Sequence, residues 1–150
     1  MVGSSRRNRL WLASMTYLLD TNTVIALLDP GRRNRLLPGI IRHEPGQVVT
    51  SVVVSHELYY GAHRSTRQQD NLGRLAMLFR DIEPLPFTPD DGEEAGAIRA
   101  ELAAVGRPIG PYDVLIAGQA RVRHLVLVTN STGEFSRVQN LTIADWLTES

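Results

Sequence analysis

The sequence predicts an α/β domain with a mainly parallel central sheet, covered by helices on both faces in three layers. Three observations predict it. Residues 17–19, 47–51 and 125–129 are short runs with the apolar or β-branched character of buried strands. Between them lie longer segments whose apolar residues recur three and four apart, as on amphipathic helices. Strand and helix alternate along the chain, which is the pattern of βαβ units. A chain of 150 residues, 43% hydrophobic, suits one domain with one core.

In order, the first strand, 17–19, runs straight into Asp20. Ligands of open α/β sheets bind outside the carboxyl ends of the strands, so Asp20 belongs on the rim of a site. Its plainer role is to cap the helix that follows, 22–28, which stops at the turn signal Asp29-Pro30-Gly31. Residues 32–42 make a basic helix interrupted at Pro38-Gly39, and 43–46 a loop before the second strand. Helix 53–63 faces the core with Val54, Leu58 and Ala62, and Gly61 weakens its end. Helix 68–80 carries Leu72, Leu75, Ala76 and Phe79 on one stripe. Pro84 and Pro86 confine a third strand, 82–87, to an edge. Asp90 and Glu93 resemble a capping box for a helix that turns Ala95, Ile98, Leu102 and Val105 inward and stops at Gly106. Pro111 opens the next helix, which runs to residue 122. The fourth strand, 125–129, is apolar throughout and is placed at the centre. Residues 131–134 turn, 141–143 form a fifth strand, and Trp146 closes the core.

The formal net charge is zero, so whole-chain charge gives no support for nucleic-acid binding; a local patch must supply it. There is no cysteine, which removes disulfides and thiolate metal sites and is compatible with a reducing cytoplasm. No apolar run approaches the roughly 20 residues of a spanning helix. Residues 1–14 differ from the remainder: Arg6, Arg7 and Arg9 precede the short apolar stretch Leu10-Trp11-Leu12-Ala13. That stretch is shorter than the apolar core of a signal peptide. The segment reads as a poorly ordered extension ahead of a start at Met15, with a basic RNA-touching arm as the alternative.

Chemistry concentrates in acids. Glu57 borders the inner face of its helix, where an unpaired charge is costly. Asp113 shares a stripe with Ile116, Ala117 and Ala120, which turns a first-turn acid inward. Asn130 follows the fourth strand as Asp20 follows the first, and the two lie side by side if those strands are neighbours. The plain readings are a helix-rim glutamate, a dipole-favoured first-turn acid and a turn asparagine. Together they make an oxygen-only ligand set, suited to Mg2+ or Mn2+ and not to zinc. Such an ion activates water for attack on a phosphodiester. The four histidines form no HExxH, and no GxSxG, Walker A or GxGxxG occurs.

These residues resemble a known family. LLDTNTVIALL (18–28), TSVVVSHELYYGAHRS (50–65), AIRAELAAVGRPIGPYDVLIAGQA (97–120), LVTNSTGEFSRVQNL (127–141) and ADW (144–146) are similar, in order and spacing, to PIN-domain ribonucleases of the VapC toxin type. The resemblance spans Met15 to Trp146 and implies a PIN domain over 15–150. It implies an endoribonuclease using Mg2+ or Mn2+, a VapB-like antitoxin partner, a homodimer within a larger toxin–antitoxin assembly, and no membrane role. By it, Asp20 and Asp113 are the principal metal ligands, Glu57 is the third acid and Asn130 completes the catalytic set. Glu134 is a candidate fourth acid, and Arg99, Thr21, Asn22 and Thr129 are candidate substrate contacts. Members with a similar GPYD segment act on the anticodon loop of initiator tRNA, the leading target by resemblance.

Ser131 and Gly133 depart from the family's TNNxREF-like segment, which is expected to loosen that loop. The alternative function is therefore a weak or inactive module that mainly binds antitoxin. Arg107, Arg121, Arg123 and Arg137 join Arg99 as a candidate phosphate patch, and Arg64 is a candidate RNA or antitoxin contact. Leu36, Leu37, Ile40 and Ile41, with the Tyr59-Tyr60 helix, are expected to form an antitoxin groove. A phosphatase of the DxD type would need an acid where Asn22 stands, and a receiver domain a lysine within 125–130.

Overall fold

Leu18 and Leu19 are wholly enclosed, and the strand they belong to is the middle of the sheet. The computed structural model describes residues 15–148; the expectation for residues 1–14 lies outside them. In chain order the elements are β1 (Tyr17–Leu19), α1 (Thr21–Leu28), α2 (Pro30–Ile41), β2 (Val48–Ser51), α3 (Val52–Arg64), α4 (Gln68–Asp81), β3 (Pro84–Leu85), α5 (Pro89–Ala104), α6 (Pro111–Val122), β4 (Val126–Val128), α7 (Thr132–Phe135) and β5 (Ile143–Ala144). The five strands are ordered β3-β2-β1-β4-β5 and pair in parallel throughout. Helices cover both faces, giving the three-layer α/β/α arrangement. The chain first builds outward from β1 through β2 to β3, then returns to the other side of β1 with β4 and β5. The strand order thus reverses between β1 and β4, where α/β sheets open a crevice.

Sequence accounts for the local choices. Asp29 caps α2, accepting from Gly31 N, and Pro30 takes the first position, where its missing N–H costs nothing. Two glycines are required by close approach. A Cβ on Gly118 would lie 2.6 Å from the Ala95 backbone nitrogen, so Gly118 lets α6 press against α5. A Cβ on Gly39 would lie 2.6 Å from the Trp146 ring, which therefore seats on α2.

Several expectations need correction. α2 is not interrupted at Pro38-Gly39 but runs through to Ile41. Pro38 and Asn34, whose carbonyl loses its partner, both face solvent, so water can satisfy it. The capping box of α5 is Thr88 with Asp91 rather than Asp90 with Glu93; Thr88 N donates to Asp91 Oδ2 at 2.8 Å. Val105 is 66% exposed, because α5 has already ended and the chain reverses through Gly106 at φ 67°. On α4, Ala76 is exposed and Leu78 packs on the core in its place. Residues 131–134 do not simply turn: α7 forms there and buries Phe135. β4 is interior, but the middle strand is β1.

Candidate active site

The site is built where β1 and β4 end. Asp20 is the first residue beyond β1 and the cap of α1. Its Oδ1 accepts from Thr23 N at 2.9 Å, and its Oδ2 accepts from Thr129 Oγ1 at 2.5 Å. The plain reading of Asp20 as a cap is therefore correct for one oxygen and leaves the other to be held by β4. The carboxylate is 2% exposed. Burial pushes Asp20 above the ordinary carboxylate range, against the hydrogen bonds from Thr129 and Thr23, and the charge of Asp145 adds to the rise.

Thr23 Oγ1 donates to Val128 O at 3.0 Å, and Ser131 N donates to Thr129 Oγ1 at 2.9 Å. The start of α1 and the end of β4 are thereby stitched around Asp20. Glu57, in the second turn of α3, accepts from Thr21 Oγ1 at 2.8 Å. Asp113 sits in the first turn of α6, half-buried, and Glu134 lies on α7.

Asp113 ties the acids together. Its carboxyl is pushed up to about 7 by burial first, then by a hydrogen bond and the charge of Glu134, then by the charges of Asp20 and Glu57. A hydrogen bond between two carboxyl groups requires one shared proton. Acids from four separate segments therefore act on one another at one edge of the sheet. Among the described residues, no group of three or more such side chains is already set to hold an ion. Magnesium does not need a closed protein cage: it is typically held by one or two carboxylates with waters and substrate phosphates. The donors tied together here are carboxylate and hydroxyl oxygens, and their crowding around one shared proton is relieved equally by a cation. On that chemistry the residues fit a hard divalent ion.

The remaining predicted residues fall out as follows. Asn130 is exposed, and the residue beside Asp20 is Thr129: Leu19 pairs with Val128, so the next register position belongs to Thr129. Asn22 is exposed at the rim, its amide 3.4 Å from Ser131 Oγ. Thr21 and Thr129 direct their hydroxyls at carboxylates. The Ser131 backbone N donates to Thr129 Oγ1, and its hydroxyl accepts from Asn22 Nδ2 at 3.4 Å. A Cβ on Gly133 would meet only open space.

Arg99 is exposed on α5. Arg121 instead pairs with Glu94 and Glu101, at 3.1 and 3.2 Å. Arg123 pairs with the enclosed Asp91 at 2.6 Å and donates to Pro86 O. Arg137 donates to Pro108 O. These three arginines hold the structure together, which reduces the expected phosphate patch to Arg99 and Arg107, both exposed. Sequence reasoning missed the role of Thr23 and Thr129 in holding Asp20. A β-branched hydroxyl at a strand end is the local feature; that it stands opposite Asp20 depends on the strand register.

Away from the acids, an open groove of 820 Å³ runs between α2 and α4, with Leu37, Ile40, Met77 and Leu78 along it. On the same helix Leu36 is wholly buried and Ile41 is 74% exposed. Tyr59 packs on Phe79 instead, and Tyr60 lies under the Arg64 guanidinium. A smaller pocket of 390 Å³ adjoins the acids through Thr21 and Glu57, and Leu28 and Arg74 line both spaces.

The PIN domain family model matches residues 17–141. The chain belongs to the PIN-domain family. Within it, this PIN domain is 38% identical over 136 residues to the tRNA(fMet)-specific endonuclease VapC of Shigella flexneri, covering 88% of this chain and 98% of the relative. That similarity puts it in the VapC branch. Among solved structures it is similar to the DNA-bound VapBC of Salmonella typhimurium, with a TM-score of 0.78 and 36% identity over 88% of this chain and 98% of that one. VapBC-1 of nontypeable Haemophilus influenzae superposes with a TM-score of 0.82 at 29% identity, over 88% of this chain and 98% of that one. No helix among the described residues of the PIN domain is long and apolar enough to cross a membrane.

Proposed function

We propose that this PIN domain is an endoribonuclease toxin that hydrolyses a phosphodiester bond in an RNA loop and is neutralised by a VapB-like antitoxin. The observation that carries the reading is the meeting of acids from four segments at the β1–β4 switch point, with Asp113 pushed up to about 7 by its burial and its acid neighbours. Asp20 and Asp113 would hold Mg2+ or Mn2+, with Glu57 and Glu134 around them. When bound, the ion supplies a water of lowered pKa and offsets charge on the phosphate oxygens. The protein's own part is positional. Thr129 and Thr23 fix Asp20, Thr21 aims Glu57, and Asp113 with Glu134 keeps a proton until a cation displaces it. Asn130, Asn22 and Arg99, all exposed, would contact an entering strand.

Similarity to a tRNA(fMet)-specific endonuclease supports initiator tRNA as the target, in its anticodon loop, where unstacked bases are open to protein contact. Similarity to VapBC complexes supports an antitoxin partner; we assign its seat to the α2–α4 groove, on the apolar side chains of Leu37, Ile40 and Met77, and assign the toxin to a homodimer within a larger assembly in the cytoplasm. The test is incubation of total RNA with the wild type and Asp20→Asn, in Mg2+, Mn2+ or chelator, with new 5′ ends mapped. Discrete ends that vanish in chelator and in Asp20→Asn are expected. Undiminished cleavage by the variant would overturn the reading.

A further inference from the structure

Two aromatic residues stand one position before acids of the site. His56 precedes Glu57 on α3, and Tyr112 precedes Asp113 on α6. The rings meet across the two helices with centroids 5.6 Å apart and planes inclined at 57°. His56 is exposed and Tyr112 is 44% exposed. The other ring contacts are occupied differently. Tyr17, His43 and Trp146 form a cluster, Tyr59 lies on Phe79, and Tyr60, itself exposed, carries the Arg64 guanidinium 5.5 Å over its ring and hydrogen-bonded to its hydroxyl. A tyrosine serving only to pack α6 on α3 would turn its ring inward. Tyr112 instead leaves 44% of its surface to solvent, and at 57° the two rings are not stacked face to face.

An RNA loop entering an acid cluster brings unstacked bases beside the scissile phosphate. Proteins hold such bases by stacking them on aromatic side chains, because every base has a π-face. The geometry points to Tyr112, braced by His56, as a stacking platform for a nucleobase adjoining the cleaved bond. The platform rests on the nuclease reading and names how that site positions its RNA. Tyr112 and His56 each stand one residue before an acid, on the two helices that carry Asp113 and Glu57, so a base stacked on the pair lies on the helices that present those carboxylates to the adjoining phosphate. The role is substrate positioning: the platform contributes to binding and leaves the acids' chemistry alone.

The test compares Tyr112→Phe, which keeps the ring, with Tyr112→Leu, which keeps apolar bulk, on an RNA hairpin substrate. Loss of one base stack predicts a KM raised roughly 5- to 100-fold in Tyr112→Leu. The kcat and Tm stay near wild type, and Tyr112→Phe behaves as wild type. A merely structural tyrosine would instead lower Tm in the Leu variant and leave KM alone. A second measurement needs no cleavage. In the Asp20→Asn chain, a hairpin with 2-aminopurine in its loop is expected to be quenched on binding, and adding Tyr112→Leu removes the quench. An unchanged KM with unchanged quenching overturns the platform while leaving the nuclease reading intact. A change of oligomeric state in Tyr112→Leu, without a change in KM, also overturns it and assigns the rings to a contact with a second copy. Failure of wild-type cleavage with quenching retained would overturn the nuclease reading alone.

Discussion

At the scale of single residues, the site depends on hydroxyls as much as on acids. Asp20 is enclosed, and the donors on its two oxygens are Thr23 N and Thr129 Oγ1. Valine is nearly the same shape as threonine but donates nothing. Thr129→Val therefore leaves a buried carboxylate short of a partner, at a cost of about 1.5–3 kcal/mol for a hydrogen bond to a charged group. Asp20 is expected to rise further from its ordinary value, and the variant to lose about tenfold or more in cleavage at neutral pH. Chemical denaturation and the RNA assay measure the two effects. The acids themselves were legible in the sequence: Asp20 after an apolar run, Asp113 on a stripe with Ile116 and Ala120, Glu57 beside Val54. Thr129 was not, because its partnership depends on the register of two strands more than a hundred residues apart, which no local pattern carries. The same register places Thr129, rather than Asn130, beside Asp20.

At the scale of elements, local chemistry predicted what local chemistry controls. The Asp–Pro start of α2 and the Pro111 start of α6 both stand at helix openings. Misreadings came where neighbours decide. Pro38 looked like a break, but its face is toward water. Asp90 and Glu93 looked like a capping box, yet Thr88 captures the cap with Asp91, which Arg123 then clamps. Leu36, Leu37, Ile40 and Ile41 are together expected in the groove. The helix divides them: Leu36 goes to the core, and Leu37 and Ile40 face α4 across the groove. Met77, 68% exposed, stands on the opposite wall. Leu37→Asp combined with Met77→Asp is expected to abolish antitoxin capture while free-toxin cleavage remains. Co-purification with the cognate antitoxin measures it; retained capture would move the antitoxin to another face.

At the scale of the whole molecule, the acid cluster makes stability depend on pH and on cation. Asp113 rises from its ordinary 3.8 to about 7. Through that window the folded state keeps a proton that the unfolded chain has released, so stability falls as pH rises and levels off above about 7. Asp20, also raised by burial, adds in the same direction. Asp91 behaves oppositely. Burial alone would raise it, but the Arg123 guanidinium and Thr88 hold it below the ordinary carboxylate range. Its contribution is lost only as pH falls through that lowered value, so the two effects occupy different windows. In chelator, Tm is expected to drop between pH 5 and pH 8. Mg2+ should offset the drop at the alkaline end, and Asp113→Asn should flatten the profile; differential scanning fluorimetry reads all three.

The most direct measurement is Mn2+ binding to the free protein, followed by isothermal titration calorimetry in the wild type, Asp20→Asn and Asp113→Asn, with folding checked by circular dichroism. Acids gathered from β1 and α6 around one ion predict a binding isotherm in the wild type that disappears in each variant. Equal Mn2+ affinity in all three folded proteins would contradict the account at its centre.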